Sequence, residues 1–469
     1  MALAAIMLLP ITACGKKDDT GEQTLDTTPE SSYVDTLEAR DFGGKKFVIM
    51  GQNNAQRQNF YEEGIVGEVT NEAMHKRDVM TETRLNIELV YDSREKGEEV
   101  LQTLINATSA GDTVADVVIC PPSVYMAGLI TNGVLSDISE FPHLTLESER
   151  WNASIYNDLD FNGRRYYTGG PIARMYMYTP MVFIFNQRLI SENNMENPYD
   201  LVKNGTWTVE KLYTMTKDMA NDVDGGGVMD NQDFYGAIFD ASVGNAFYTA
   251  AGLETVIESN GKYTLNIDSA QSVDFIQKCA SYFGNRTVYL NDLYGDQGYA
   301  NTVFRVGRAV FMDNTMLGVS KLRDMEDDYG IIPVPKNTEE QTEYLSSCNT
   351  FLASAVAVPI TCENADDTGL VLETMAHYSL EYVYPSVYDT VLQGRVARDP
   401  VALEMIDLVY GNASFDMLTC YLYDLNVLLR TSVCGDEPNF TSMYKRIKRA
   451  SQETLDELVA AGTEVSSGS

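Results

Sequence analysis

The chain of 469 residues is long enough for two or three domains of about 100–200 residues each, and its 44% hydrophobic content can fill their cores. Its 68 acidic residues outnumber the 34 Lys and Arg residues. A field of that sign repels nucleic-acid phosphates and anionic lipid surfaces, so nucleic acid is excluded as an expected partner.

The first residues have the pattern of an export signal. The apolar run from Ala2 to Ile11 is shorter than the roughly 20 residues of a membrane-spanning helix, but it suits the apolar region of a signal. It ends in "ITAC", which resembles the bacterial lipobox; the resemblance implies cleavage before Cys14 and lipid attachment to its sulfur. No Lys or Arg precedes the run, and the alternative is a disordered N-terminus with a stray cysteine. We predict a signal peptide at 1–13 and a lipid anchor on the extracellular face of a bacterial cell membrane.

The next segment, 14–40, is rich in Asp, Glu, Thr and Ser and has few large apolar residues. Such a composition cannot bury enough apolar surface to fold by itself. We therefore expect an extended, flexible linker between the lipid and the folded body.

From Lys45 onward, β-rich runs alternate with stretches of helical spacing. The helical spacing is clear at Val69, Ala73, Lys76 and Met80, and again from Val100 to Ile105. This alternation favours a mainly parallel sheet covered on both faces by helices. The β-rich runs are "KKFVIM", "RLNIELVY" and "ADVVIC".

The same alternation continues through the middle of the chain. "GTWTVEKL" predicts a helix with Thr208 as its N-cap, and Trp207 beside that cap is interpreted as a packing residue. From Gly369 onward the spacing is mainly helical, and no internal repeat is evident. The further predicted strands are "MVFIFN", "RAVFMD", "YGIIPVP" and "FLASAVAVP".

The order of these segments resembles the extracellular solute-binding proteins of ATP-binding cassette importers, of the sugar-binding, maltose-binding-protein-like type. The segments that carry the resemblance are "ADVVIC", "NGVLSDISEF", "NGRRYYTGG", "MVFIFNQRLI", "GTWTVEKL", "VFRVGRAVFMDN", "DYGIIPVPK" and "LASAVAVPI". The resemblance implies an α/β, two-lobe periplasmic-binding-protein-like (type II) fold with a central interlobe cleft and a largely helical C-terminal part. It also implies a monomer that captures a carbohydrate and delivers it to ABC permease subunits, where ATP is hydrolysed.

The lobe boundaries follow from this resemblance. Lobe 1 is expected at 41–168 plus 300–342, lobe 2 at 169–299 plus 343–460, and a disordered tail at 461–469.

Residues at strand ends and aromatic turns are the expected solute contacts, because ligands of such sheets collect beyond the carboxyl ends of the strands. Sugar sites combine aromatic rings with short polar and acidic groups. The predicted contacts are Asn53, Asn54, Ser123, Tyr125, Tyr178, Asp240, Asp313, Asn314, Tyr384 and Tyr388.

The segment "DVDGGGVMDNQD" has the spacing of a twelve-residue calcium loop, with Gly227 at the sixth position where the turn requires glycine. Position 5 lacks a side-chain ligand and position 12 is Asp rather than Glu, and an acidic surface turn is the alternative. We predict a weak, structural Ca²⁺ site and no catalytic cofactor. Its ligand positions are Asp222, Asp224, Gly226, Val228, Asp230 and Asp233.

Other functions have less support in the sequence. Six cysteines besides Cys14 form no CxxC pair and are interpreted as buried free thiols, and three scattered histidines argue against a zinc cluster. No nucleophile elbow, HExxH or Walker loop is present, so we do not expect an enzyme. The alternatives left open are a surface glycan hydrolase that uses a carboxylate pair and a solute-binding sensor or adhesin module.

Overall fold

Two five-stranded sheets form the framework of the part of the chain that the computed structural model describes. The chain passes from one sheet to the other at two places, and helices cover both sheets. The described residues are 33–53, 58–65, 67–151, 159–227, 229–240, 242–284, 288–290, 299–322, 324–392, 399–432 and 440–464.

The strands follow the β-rich runs of the sequence. In chain order they are β1 (Lys45–Gln52), β2 (Ile87–Arg94), β3 (Val117–Cys120), β4 (Tyr167–Thr168), β5 (Met181–Asn186), β6 (Tyr235–Phe239), β7 (Val256–Ser259), β8 (Lys262–Leu265), β9 (Val288–Leu290), β10 (Ala309–Thr315), β11 (Tyr329–Pro333), β12 (Ser346–Ser347), β13 (Ala355–Ala357) and β14 (Ala413–Ser414).

The helices fill the segments between the strands and most of the C-terminal part. In chain order they are α1 (Tyr33–Thr36), α2 (Val69–Leu85), α3 (Gly97–Ala110), α4 (Ala127–Thr131), α5 (Gln187–Glu192), α6 (Pro198–Lys203), α7 (Val209–Thr216), α8 (Val243–Ala250), α9 (Ala270–Phe283), α10 (Tyr299–Arg305), α11 (Met316–Ser320), α12 (Ala365–Tyr378), α13 (Tyr384–Leu392), α14 (Pro400–Gly411), α15 (Met417–Tyr421), α16 (Tyr423–Ser432) and α17 (Phe440–Glu464). A 3₁₀ segment spans Pro171–Tyr178, and π-helical turns span Pro122–Met126 and Ser379–Val383.

Lobe 1 is built on the sheet with strand order β2-β1-β3-β13-β4. β1 pairs in parallel with β2 and β3, and β13 runs antiparallel between β3 and β4. Alternate residues of β1 face opposite sides, since Ile49 joins a core with α12 whereas Met50 joins the larger core that continues into the second lobe. Both faces are covered, as expected for a largely parallel sheet.

Lobe 2 is built on the sheet with strand order β11-β5-β10-β6-β9. All residues of β5 are buried, and Trp207 packs against Phe183 and Phe311 while its indole N–H donates to the Pro333 carbonyl at 2.9 Å. The interpretation of Trp207 as a packing residue is confirmed. Thr208 caps α7 as predicted, because its hydroxyl accepts the Lys211 N–H at 3.1 Å.

The expected lobe boundaries differ from the observed sheets. Segment 300–342 was expected in lobe 1, but its strands β10 and β11 pair with β5, and β10 also pairs with β6, so this segment belongs to lobe 2. The chain returns to lobe 1 through β13, which was expected in lobe 2. A local apolar pattern identifies a strand but does not determine which partner it pairs with.

Both termini are also more ordered than the composition indicates. Segment 33–40, expected in the linker, contains α1 and docks on α12, where Arg40 pairs with Asp366 at 2.6 Å. Residues 461–464, expected in a disordered tail, belong to α17, which ends at Glu464, and residues 465–469 lie outside the described residues. Residues 1–32, including Cys14 and the predicted signal, lie outside the described residues.

The cysteines of the described part are free thiols. Four of these five cysteines are buried and Cys362 is half-buried. A free thiol packs well among apolar side chains. Cys434 lies outside the described residues. The five are Cys120, Cys279, Cys348, Cys362 and Cys420.

Candidate functional site between the two lobes

The strand ends of the two lobes meet where the chain crosses between the sheets. β1 and β3 end at the edge of lobe 1 from which antiparallel β13 starts. β6 and β10 end at the edge of lobe 2 from which antiparallel β5 starts. The first crossing, at Thr179 and Pro180, contacts the second through a bridge between Pro180 and Cys348. This geometry places the polar residues after β3 and β6 around one hinge.

The second crossing, 348–354, connects both lobes by hydrogen bonds. The Ser123 hydroxyl of lobe 1 donates to the Thr350 carbonyl at 3.1 Å, and the Thr350 hydroxyl donates to the Thr419 carbonyl of α15 at 3.0 Å. The Asn349 amide donates to the Ser242 hydroxyl, after β6, at 3.2 Å. A change in the relative orientation of the lobes would therefore alter these contacts directly.

A small cavity of about 10 Å³ opens beside this crossing, with Ser242, Asn245, Asn349 and Phe351 on its wall. Such a volume holds about one water molecule or one hydroxyl group. Asn245 is 7% exposed, and its amide N–H donates to the Asn426 side-chain oxygen at 2.6 Å. Its own side-chain oxygen has no hydrogen-bond partner among the described residues. A buried acceptor without a donor costs about 1–3 kcal/mol, so this oxygen favours binding of a hydroxyl donor.

The close approach of α8 and α16 positions Asn245. A Cβ atom on Gly244 would lie 2.4 Å from the Leu429 carbonyl oxygen, so a larger residue would separate the two helices. Glycine at this position thus brings the side chains of Asn245 and Asn426 within hydrogen-bond distance.

Phe351 on the cavity wall contacts one aromatic and one cationic side chain. Phe351 and Tyr423 meet edge to face, with ring centroids 6.2 Å apart, and Tyr423 is 52% exposed. The Arg430 guanidinium lies over the Phe351 ring, 5.1 Å from its centroid. An exposed aromatic edge beside hydrogen-bonding groups suits a ligand with apolar faces and a polar rim. Sequence reasoning missed Asn245, Asn349, Phe351, Tyr423 and Arg430; for Phe351, its place at the start of the predicted strand "FLASAVAVP" was the available signal.

Asp313 and Asp240, both predicted contacts, have different positions. Asp313 is fully buried, and its carboxylate accepts the Asp240 N–H at 2.7 Å. Asp240 is half-buried and accepts the Ser242 N–H at 3.0 Å. Burial, and then the charge of Asp240, raises the pKa of Asp313 well above its ordinary value. Asp313 therefore supports the loop that presents Ser242 and does not reach a solute in this conformation.

Three further predicted contacts are largely occupied by packing. The Tyr125 ring lies over Gly97, where a Cβ atom would be 1.9 Å from the ring. Tyr178 is 5% exposed, and the Arg174 guanidinium lies 5.9 Å from its ring centroid. The Asn314 side chain accepts the Thr315 N–H at 2.8 Å. These side chains shape the walls behind the hinge more than its surface.

The remaining predicted contacts lie on the lobe surfaces. Tyr384 and Tyr388 stack on one face of α13 at 6.1 Å, both half-buried. Asn53 follows β1 and is half-buried, whereas Asn54 lies outside the described residues. Thus Ser123 and Asp240 join Ser242, Asn245, Asn349 and Phe351 in a group that we call the hinge cluster. The two tyrosines form a separate pair.

The acidic loop of lobe 2 brings part of its predicted calcium ligands together. Carboxylate oxygens of Asp222, Asp224 and Asp233 lie within 4.8 Å of one another. Asp222 also accepts the N–H groups of Gly225, Gly226 and Gly227, and these bonds, the Gly227 bond first, lower its pKa. Asp230 stands outside that group of three, Gly226 is exposed, and Val228 lies outside the described residues.

Two lobes joined by crossing segments, with a polar and aromatic cluster at the hinge, define the binding-protein class of fold. Within the described residues, no helix is both long and apolar enough to cross a membrane.

The family comparison agrees with this class. Residues 80–372 match the family model for bacterial extracellular solute-binding proteins, and the chain belongs to that family. Its members are substrate-binding proteins and not enzymes, as expected from the sequence. A search of curated proteins finds no match.

Solved structures share the whole fold at low sequence identity. A cyclo/maltodextrin-binding protein complexed with maltotetraose has a TM-score of 0.55 at 13% identity, over 90% of this chain and 97% of that chain. An ABC substrate-binding protein from Listeria monocytogenes in complex with cycloalternan has a TM-score of 0.57 at 12% identity, covering 88% and 99%. The maltose/maltodextrin-binding domain MalE from Bdellovibrio bacteriovorus, bound to maltotriose, has a TM-score of 0.53 at 14% identity, covering 90% and 99%. The expected two-lobe fold is confirmed.

Proposed function

We propose that this solute-binding protein captures a carbohydrate, an oligosaccharide in particular, between its lobes and delivers it to the permease subunits of an ABC importer. The observation that carries the proposal is the hinge cluster, where the acceptor oxygen of Asn245 and the ring of Phe351 border one cavity, and Phe351 contacts the exposed ring of Tyr423. Oligosaccharides in the three similar structures support the same ligand class.

The mechanism is a population shift. A solute that contacts Ser123 on lobe 1 and Asn245 on lobe 2 binds the closed arrangement more tightly than the open one, so it moves the equilibrium toward closure. Closure would present a continuous surface of both lobes to the permease, and ATP is hydrolysed by the partner subunits.

The test is calorimetric titration of the purified protein with maltotriose, maltotetraose, cycloalternan, glucose and a tripeptide. We expect binding of at least one oligosaccharide and no cleavage products after prolonged incubation. Tyr423→Ala should weaken that binding about tenfold, since loss of one aromatic contact is worth roughly 1 kcal/mol or more. Tyr382→Ala, which removes a tyrosine from the outer surface of lobe 1, is the matched control. Tripeptide binding alone would reject the carbohydrate assignment, and released sugar would support a hydrolase.

We also propose that the protein acts as a monomer anchored by lipid on Cys14. The "ITAC" sequence supports this anchor. Cells grown with an alkyne fatty acid should label the wild-type protein but not Cys14→Ala, which should appear in the medium. Equal labelling of both proteins would reject the anchor, and light scattering of the soluble body checks the monomer.

The acidic loop is proposed as a weak structural Ca²⁺ site, supported by the three clustered carboxylates. Affinity in the extracellular range of about 10⁻⁴–10⁻³ M is expected. Millimolar CaCl₂ should raise the melting temperature of the wild-type protein more than MgCl₂ does, and Asp224→Asn should abolish the difference. An equal effect of the two salts would favour an acidic turn without a metal.

A further inference from the structure

A second and much larger cavity lies on the other side of α15 from the hinge cluster. Its volume is about 640 Å³, and Met417 of α15 lines it, whereas Thr419 of the same helix lines the small hinge cavity. Sites for small organic molecules have volumes of about 300–1,000 Å³. The space is therefore sufficient for a ligand that is separate from the one at the hinge.

Both lobes contribute to the walls of this cavity. Asp160 comes from the segment before β4 in lobe 1, and the other lining residues come from lobe 2. They belong to the end of α8 and the turn after it, the β7–β8 hairpin, the segment before β12, and the segment from β14 to the start of α15. Thr255 connects two of these parts, because its hydroxyl donates to the Asp416 carboxylate at 2.7 Å.

The lining combines apolar side chains with carboxylates. The apolar part includes Leu253, Val256 and Ile257, and Ile257 is 40% exposed at the rim. Its carboxylates are those of Asp160, Glu254, Glu258 and Asp416, and no Lys or Arg is found among the described residues that line it. An anion would be repelled by these walls, and a neutral ligand would desolvate carboxylates without compensation.

Three of the four carboxylates already have structural roles. Asp160 pairs with Arg165, with its two oxygens 3.0 and 2.9 Å from the guanidinium nitrogens. Asp416 caps α15 by accepting the Leu418 N–H at 2.9 Å. One Glu258 oxygen accepts the Gly261 N–H of the hairpin turn at 2.6 Å. Glu254 and Glu258 are both exposed on the hairpin side, where the Glu254 carboxylate and the second oxygen of Glu258 can approach a cationic group that enters the cavity.

We propose that this cavity binds an organic ammonium compound with a short aliphatic body. The carboxylates of Glu254 and Glu258 would balance its charge, and Leu253, Val256 and Ile257 would contact its methylene groups. A bare metal ion would leave most of the 640 Å³ and its apolar wall unused. The site is independent of the carbohydrate assignment, since different residues line it.

The test uses the full soluble chain and two probes of equal length, 1,6-diaminohexane and 1,6-hexanediol, in calorimetric titrations. The diamine should bind with an affinity that falls as NaCl increases, and the diol should bind at least about tenfold more weakly. The double variant Glu254→Gln, Glu258→Gln should lose at least about tenfold in diamine affinity. Glu99→Gln, an exposed acidic residue of α3, is the control and should match the wild type.

Three results would overturn the proposal: no binding of the diamine to the wild-type protein, equal binding of diamine and diol, or full diamine affinity in the double variant. Both substituted side chains are exposed, so the melting temperature of the double variant should equal that of the wild type. Oligosaccharide titrations of the same variant separate the two proposals. If sugar binding is retained while diamine binding is lost, the cavity is a separate site; if both are lost, it belongs to the solute cleft and the proposal fails.

Discussion

Asp313 illustrates how one buried carboxyl group can organise a binding loop without touching a ligand. It accepts the backbone N–H of Asp240, and Asp240 in turn accepts the N–H of Ser242. One oxygen of Asp313 has no hydrogen-bond partner among the described residues. The neutral acid is favoured there because burial and the neighbouring carboxylate both oppose its ionisation.

The raised pKa of Asp313 predicts a dependence of stability on pH. Between the ordinary Asp pKa of about 3.9 and its raised value, the folded protein holds a proton that the unfolded chain releases. Stability from this group is therefore present at low pH and decreases as pH rises through that window. Melting temperatures of wild type and Asp313→Asn, measured from pH 5 to 8, should diverge, with the variant declining less. Parallel curves would show that Asp313 is ionised in the folded protein.

Asn245 predicts a hydroxyl contact at the hinge. Asn245→Asp should weaken oligosaccharide binding about tenfold or more, since the Asn426 side-chain oxygen would then face a carboxylate instead of a donor. Calorimetric titration with the oligosaccharide that the wild type binds provides the measurement. Asn204→Asp, at the exposed end of α6, is the control and should bind normally. Unchanged affinity of Asn245→Asp would exclude this side chain from the site.

At the scale of elements, α12 anchors the N-terminal segment through Glu373. This carboxylate is fully buried and accepts hydrogen bonds from Trp151 at 2.7 Å, Arg150 at 2.8 Å and the Tyr33 hydroxyl at 3.1 Å. Burial alone raises its pKa, but the hydrogen bonds from Thr145, Trp151 and Arg150 outweigh that effect and lower the pKa below its ordinary value. The result is a buried ionic contact between α12, the loop before residue 151 and α1.

Glu373→Gln should therefore be strongly destabilising. It leaves the Arg150 guanidinium without its buried counter-charge, and breaking such a pair costs about 3–5 kcal/mol. Urea unfolding should show this loss, and hydrogen exchange should show faster exchange of α1. Glu381→Gln, an exposed acidic residue in the π-helical turn that follows α12, should change stability by no more than about 0.5 kcal/mol. Equal stability of the two variants would show that the contact is not ionic.

The positions of strands and helices were more predictable than the strands with which each strand pairs. "MVFIFN" predicts β5 at its observed bounds, and Thr208 predicts the start of α7, because both signals are local. β10 and β11 were also found, but their place beside β5 depends on pairing over more than a hundred residues. The candidate site was harder to predict: Ser123 and Asp240 were predictable from strand ends, whereas Asn245 and Asn426 meet only through the packing of α8 on α16.

For the whole molecule, the hinge predicts a measurable change of shape. The second crossing segment and the 3₁₀ segment that leads into the first both hold Asn59 of lobe 1. The Asn59 side-chain amide donates to the Ser354 hydroxyl at 2.8 Å, and its side-chain oxygen accepts the Met175 N–H at 3.0 Å. Small-angle scattering should show a smaller radius of gyration with a saturating oligosaccharide than without it. The diol probe provides the control for solvent effects. An unchanged radius with a bound sugar would mean that capture does not require closure.

The docking of α1 on α12 has a mechanical consequence for a protein held at a surface by its N-terminus. Tension along the segment between Cys14 and Tyr33 would reach lobe 1 first. It would be transmitted through the Tyr33 ring, 3.7 Å from the Arg150 guanidinium, and through the Glu373 carboxylate. With the proposed lipid anchor on Cys14, lobe 1 would be the stationary body and lobe 2 the one that swings, and lobe 1 would set the orientation of the cleft relative to the membrane.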